Sequence, residues 1–160
     1  GGGHAMAAGF TVEPEKIEEL DKFFLEHAEQ IMGNAEIVIE EQVDAVASIR
    51  GIRPDFVKLL EDNVGPFGQE NPEPKFILPS MRIAMVDIVG EHHVRVQMTE
   101  SDGGQRMKAM AFRAVGTPLG DLLLQSKSGR LLHLLGQFKV NHWNGVDNVE
   151  FMISDASSAN

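Results

Sequence analysis

The chain has no cysteine among its 160 residues, so neither a disulfide nor a thiolate metal site can form. That fits a reducing compartment, and a cytoplasmic location is expected. No apolar run approaches the roughly 18 residues a membrane helix requires, so no membrane partner is expected. No stretch reads as a secretory signal, although a piece of a longer protein would not show one. The chain also lacks the positive excess common in nucleic-acid binders: 24 acidic residues against 14 Lys and Arg give a net charge of −10. That charge is unevenly divided. Residues 1–80 carry 16 acidic and 6 basic side chains, whereas residues 81–160 carry 8 of each. A neutral half can still present a locally positive groove of the kind that holds single strands. Alternatively, its cations are scattered over an ordinary solvated surface.

Gly1-Gly2-Gly3-His4 opens the chain and runs into Ala7-Ala8-Gly9-Phe10. Consecutive glycines let backbone N–H groups turn toward an anion and let a phosphate approach closely. Such a loop normally lies between elements, so the chain is expected to be part of a longer protein, a tag remnant being the alternative.

Two unequal parts follow. Pro14 suits a helix start, and Ile17, Leu20, Phe24, Ala28 and Ile31 recur at helical spacing up to Gly33. Glu36–Glu40 and Val43–Ala47 read as short strands, and Pro54 opens a second helix carrying Phe56, Val57, Leu59 and Leu60. Three prolines and two glycines between Gly65 and Phe76 exclude regular structure and mark a linker. Beyond it the pattern is mostly β. Strands are expected at 82–89, 93–99, 106–113, 131–140 and 146–153, with a hairpin turn at Asp102-Gly103-Gly104 and a helix over 118–126. The predicted class is therefore α+β followed by a five-stranded oligonucleotide/oligosaccharide-binding (OB) barrel with its helix between strands three and four. Strands two and three, and the loops joining strands one to two and four to five, would form the binding face.

On that plan Arg95, Gln97 and Thr99 leave strand two opposite Val94 and Val96, while Lys108, Met110 and Phe112 alternate with Met107, Ala109 and Ala111 on strand three. Phe112 with Arg95 and Lys108 would make a stacking and phosphate platform, unless Met110 and Phe112 point into the barrel. Lys139 is a further candidate cation. Trp143, the only tryptophan, falls in the expected loop Asn141–Gly145, where it either clamps a ligand or packs the loop down. His92 and His93 read as turn residues, because nothing spaced around them completes a metal site.

The glycine motif with Ala7-Ala8-Gly9-Phe10 resembles the signature of the DHH-associated domain. Pro66-Phe67-Gly68-Gln69-Glu70-Asn71-Pro72-Glu73-Pro74 is similar to the linker that follows it in the RecJ single-stranded-DNA exonucleases, and Asn141–Gly145 and Ile153-Ser154-Asp155 are similar to the end of their barrel. The resemblance implies the end of a DHH-associated domain (1–64), a linker (65–79), an OB domain (80–156) and a tail (157–160). It implies a role in 5′→3′ digestion of single-stranded DNA during recombination and repair. Gly1, Gly2, Gly3 and His4 would contact substrate. Mn2+ or Mg2+ would sit in a DHH domain whose Asp-His-His triplet does not occur here, leaving this piece without catalytic residues and inactive alone. The alternatives are a protein-docking OB module, for example for single-strand-binding protein, or part of another DHH-family phosphodiesterase.

Overall fold

The computed structural model describes residues 2–4, 7–32, 41–126 and 129–159. They divide into two compact units, residues 1–40 and 41–160.

In the first unit, β1 (Gly2–His4) pairs antiparallel with β2 (Ala7–Gly9), Gly3 standing opposite Ala8. The glycine motif is thus one arm of a short hairpin rather than an open loop; Gly1 lies outside the described residues. Pro14–Lys16 forms a 3-10 turn that leads into α1 (Ile17–Met32), whose first turn carries Glu18 and Glu19 at the positive end of the helix dipole. Phe23 stacks on His27 with centroids 3.9 Å apart. The strand expected at Glu36–Glu40 lies outside the described residues.

The second unit holds β3 (Ala45–Val46), α2 (Pro54–Val64), β4 (Phe76–Val89), β5 (His93–Glu100), β6 (Arg106–Ala111), α3 (Pro118–Gln125), β7 (Leu131–Trp143) and β8 (Val146–Ser158). The sheet order is β3-β4-β5-β6-β8-β7, and β7 pairs back onto β4, closing the sheet on itself. Six strands form it, not the five expected, because β3 adds in parallel beside the start of β4.

β4 serves two neighbours, pairing with β7 from Phe76 to Arg82 and with β5 from Met81 to Val89. Its register shifts between Leu78 and Met81, where Pro79 lacks a donor and Ser80 adopts φ 51°. The strand therefore starts at Phe76, inside the stretch expected to be linker. β7 and β8 also run longer than expected. Asn141, His142 and Trp143 belong to β7, and only Asn144-Gly145, at φ 51° and 77°, makes the turn, as a type I′ hairpin requires.

Period-two alternation fills the interior: Val94, Val96 and Met98 of β5 and Met107, Ala109 and Ala111 of β6 are buried with Leu132, Leu134, Phe138 and Phe151. At Gly136 an added Cβ would lie 2.0 Å from the Met152 carbonyl oxygen, so only glycine permits this strand approach. α3 closes one end of the sheet. It is capped by the Thr117 hydroxyl, which accepts from Gly120 N at 3.2 Å, and it inserts Leu123 into the core. The Glu100 end of β5 is covered by Ile49, Ile52 and Val57, which join the same cluster.

Residues 41–64 thus belong to the closed-sheet unit, whereas the sequence reading placed them with the preceding α+β part; the structural division falls at Glu40/Glu41. The reason is burial, since these apolar side chains have no other core. The 65–75 segment is irregular as expected, and it is tied down: Asn71 Nδ2 donates to the carbonyls of Val64 and Pro66 at 2.6 and 3.1 Å.

Candidate nucleic-acid interface

With Val94, Val96 and Met98 inside, the opposite face of β5 and β6 is outward. The register sets Arg95 beside Met110, Gln97 beside Lys108 and Thr99 beside Arg106, and Phe112 follows directly after β6. Phe112 is 61% exposed and meets the His93 ring edge-on at 5.1 Å. His93 is fixed from behind, its Nδ1 accepting from Arg113 N at 2.9 Å. The hydroxyl of Thr99 is buried and without a partner among the described residues, so it is not offered to a ligand. Arg95 reaches Asp87 Oδ2 at 3.2 Å across the strand pair, both side chains being about half exposed; a pair of that kind holds its cation weakly.

Two hollows lie on this face. One, of about 220 Å³, is lined by Met85, Asp87, Arg95, Gln97 and Lys108. The other, of about 370 Å³, lies between the Ile52-Arg53-Pro54 entry to α2 and the outer side of β6 and β8. Gln97 and Lys108 line both, so the hollows adjoin. The acids around the larger one are engaged. Asp147 is bonded by Lys58, and His142 Nδ1 lies 2.5 Å from its Oδ1. The Lys58 bond, then the His142 bond, hold the Asp147 carboxyl below the ordinary carboxylate range, and the same contact with Asp147 raises Lys58 above the usual lysine range. Glu150 accepts from Asn141 Nδ2 at 3.1 Å. Arg50, raised by its bond to Asp102 at 2.5 Å and by the nearby Glu100 at 2.9 Å, braces the segment ahead of α2 against the β5–β6 hairpin.

The sequence candidates are thus distributed unevenly. Arg95 and Lys108 come together and Phe112 continues their face. Lys139 is held by Glu73, with Nζ to carboxylate oxygens at 2.6 and 2.7 Å, and so is occupied within the protein. Trp143 is 71% exposed at the tip of the β7–β8 hairpin and does not pack the turn down. Since Lys108 stands beside Glu150 and Met110 beside Met152 in parallel register, Phe112 and the Trp143 tip lie at opposite ends of the sheet, about 25 Å apart at strand rise. Gly2 to His4 lie in the other unit. Arg53 and Arg106 were not singled out from the sequence, although Arg106 shares the period-two face of Lys108 and Arg53 directly precedes the helix-opening Pro54. Among the described residues no three His, Asp or Glu side chains converge, so the donor set does not fit a Mn2+ or Mg2+ centre.

A closed sheet of this order, with a helix between β6 and β7 and cations on the β5–β6 face, defines an OB-type binding domain. Residues 43–155 match the RecJ OB domain family, and the chain belongs to that family. It is 25% identical over 156 residues to the single-stranded-DNA-specific exonuclease RecJ of Bacillus subtilis (strain 168), covering 98% of this chain and 19% of the relative. It is 30% identical over 154 residues to the enzyme of the same name from Salmonella typhimurium, covering 96% of this chain and 26% of the relative. The chain therefore spans about a quarter or less of these relatives. The crystal structure of RecJ from Thermus thermophilus in complex with Mn2+ shares the fold, with a TM-score of 0.63 and 21% identity over 99% of this chain and 22% of that one.

Proposed function

We propose that this chain is the strand-holding portion of a cytoplasmic single-stranded-DNA exonuclease, a hydrolase that digests 5′→3′ in recombination and repair. On this reading Mn2+ or Mg2+ and its ligands belong to a DHH domain outside these residues. Residues 1–40 are then the end of a DHH-associated domain, whose Gly1–His4 stretch touches substrate, and the closed sheet guides the strand. The chain alone has no nuclease activity. The observation that carries the reading is the outward face of β5–β6, where Lys108 has no anionic partner among the described residues, Arg95 is only weakly paired, and Phe112 presents a ring. Cations take phosphates, and an exposed ring takes a base, without demanding a sequence.

Titration of the 160-residue chain with oligo-dT at several salt concentrations tests this. Two phosphate contacts, at Arg95 and Lys108, predict a log–log salt slope of magnitude about 1.4 or more. Absence of binding with a flat salt response overturns the strand-holding role and leaves the face to an acidic protein partner such as the tail of single-strand-binding protein.

A further inference from the structure

The molecule neutralises many of its cations internally. Arg50, Lys58, Lys75, Arg95 and Lys139 each have a carboxylate partner. Arg106 and Lys108 have none among the described residues, and both line the larger hollow. They are two residues apart on one strand, so their side chains leave the same face about 7 Å apart, close to the phosphate spacing of an extended single strand. The third cation comes from outside the expected barrel. Arg53, in the entry to α2, has only a 3.6 Å contact with Asp55, and both side chains are about three-quarters exposed. Its position is not loose, because Ile49 and Ile52 on one side and Val57 on the other are anchored in the core. The adjoining smaller hollow continues from the floor at Gln97 toward Arg95, giving the strand a path onward across β5.

We propose that Arg53, Arg106 and Lys108 form a two-walled phosphate clamp, with Arg53 on the α2 side and Arg106 and Lys108 on the sheet side, holding successive phosphates of single-stranded DNA. The proposal rests on the strand-holding reading above and adds to it a wall contributed by residues outside the five long strands. Electrostatics also sets the sign of a second effect. Asp147 is already balanced by Lys58 and bonded to His142, whereas Glu150 forms no ion pair among the described residues and opposes a bound phosphate.

The test is oligo-dT binding by the full chain as a function of salt, with Arg53→Ala, Arg106→Ala, Arg53→Lys, Glu150→Gln and, as a control away from the hollow, Arg130→Ala. Arg53→Ala and Arg106→Ala should each lower the slope by about 0.7 and weaken binding on the order of 5-fold. Arg53→Lys should keep the slope, Arg130→Ala should leave binding unchanged, and Glu150→Gln should strengthen it about 2-fold. Steep, salt-dependent binding by the parent chain that survives both alanine variants overturns the clamp and leaves the strand-holding reading standing. No binding by the parent chain, whether or not an acidic peptide binds instead, overturns both.

Discussion

The two ends of the closed sheet are plugged in the same way but exposed to solvent differently. At one end α3 inserts Leu123, and at the other the turn and helix after β3 insert Ile49 and Val57. Both plugs are dry. The second has its connecting backbone laid along the outer side of β6 and β8, where a hollow lined by Arg53, Arg106 and Lys108 arises. The groove is therefore a by-product of plugging. Once Ile49, Ile52 and Val57 are committed to the core, Arg53 is carried to the rim with no freedom to lie elsewhere.

The largest effects should come from the plugs themselves. Leu123→Ala and Ile49→Ala each remove a fully buried side chain and should cost about 2–5 kcal/mol, read from urea unfolding. If the ends share one core, both variants shift the same cooperative transition. An Ile49→Ala chain whose main transition stays at the parent midpoint would show that residues 41–64 are a separate unit.

A second test sets the two exposed aromatic rings of the closed-sheet unit against each other. Trp143 stands near the clamp end with no ring neighbour among the described residues, whereas Phe112 stands near the α3 end with its edge against His93. Stacking contributes about 1–3 kcal/mol per base. Trp143→Ala should therefore weaken oligo-dT binding by at least about 5-fold, and by more than Phe112→Ala does. The reverse order in a fluorescence-anisotropy titration would move the interface to the α3 end.

Much of the second unit was legible because it obeys local rules. Val94, Val96 and Met98 alternate with polar residues and 118–126 reads as a helix, and β5 and α3 fall within a residue of those bounds. What was missed depends on long-range partners. Phe76 to Pro79 reads as the end of the linker, yet Pro79 falls where β4 leaves β7 for β5 and the ladder needs no donor from it. Ile49 and Val57 carry the periodicity of a local core, and nothing in their spacing says that the core lies beyond a proline-rich segment. Asn144-Gly145 was a usable signal: a type I′ pair predicts a two-residue turn and hence long β7 and β8 arms, but the polar run from Asn141 suggested a loop instead. Within the candidate site, alternation separated the two faces of β5 and β6 but left open which one is outward, and the burial of Val94, Val96 and Met98 decides it. The capture of Lys139 by Glu73, 66 residues away, had no signal in the sequence.

A smaller effect concerns the anchor of the hairpin. The Asp147 carboxyl is held below its ordinary value of 3.8, mainly by Lys58, so its contribution to stability is fully present above that value and is lost as pH falls through the lowered one. Lys58 is raised above 10.5, so its share is present below that value and disappears as pH climbs through the raised one. The urea midpoint of the parent chain should therefore fall more steeply than that of Lys58→Met between about pH 5 and pH 2, by an amount that shrinks in about 1 M salt, where the screening length is about 3 Å. Parallel curves would show that the pair adds nothing to folding.

The smallest expected effect is the sharpest check on which cations are free. Lys139 lies one strand beyond Glu150 in the row that contains Lys108, so position alone makes it a candidate phosphate contact. Its ammonium, however, meets both carboxylate oxygens of Glu73, whose side chain is only 19% exposed, and the Glu73 carbonyl is fixed in turn by Gln137 Nε2 at 3.2 Å. Lys139→Ala should leave oligo-dT affinity and salt slope unchanged, whereas Glu73→Gln releases the ammonium and should raise the slope by up to about 0.7. A Lys139→Ala chain that loses slope as Arg106→Ala does would mean that the strand runs across β8 toward β7, and that pairing within the protein does not decide which cations meet the phosphates.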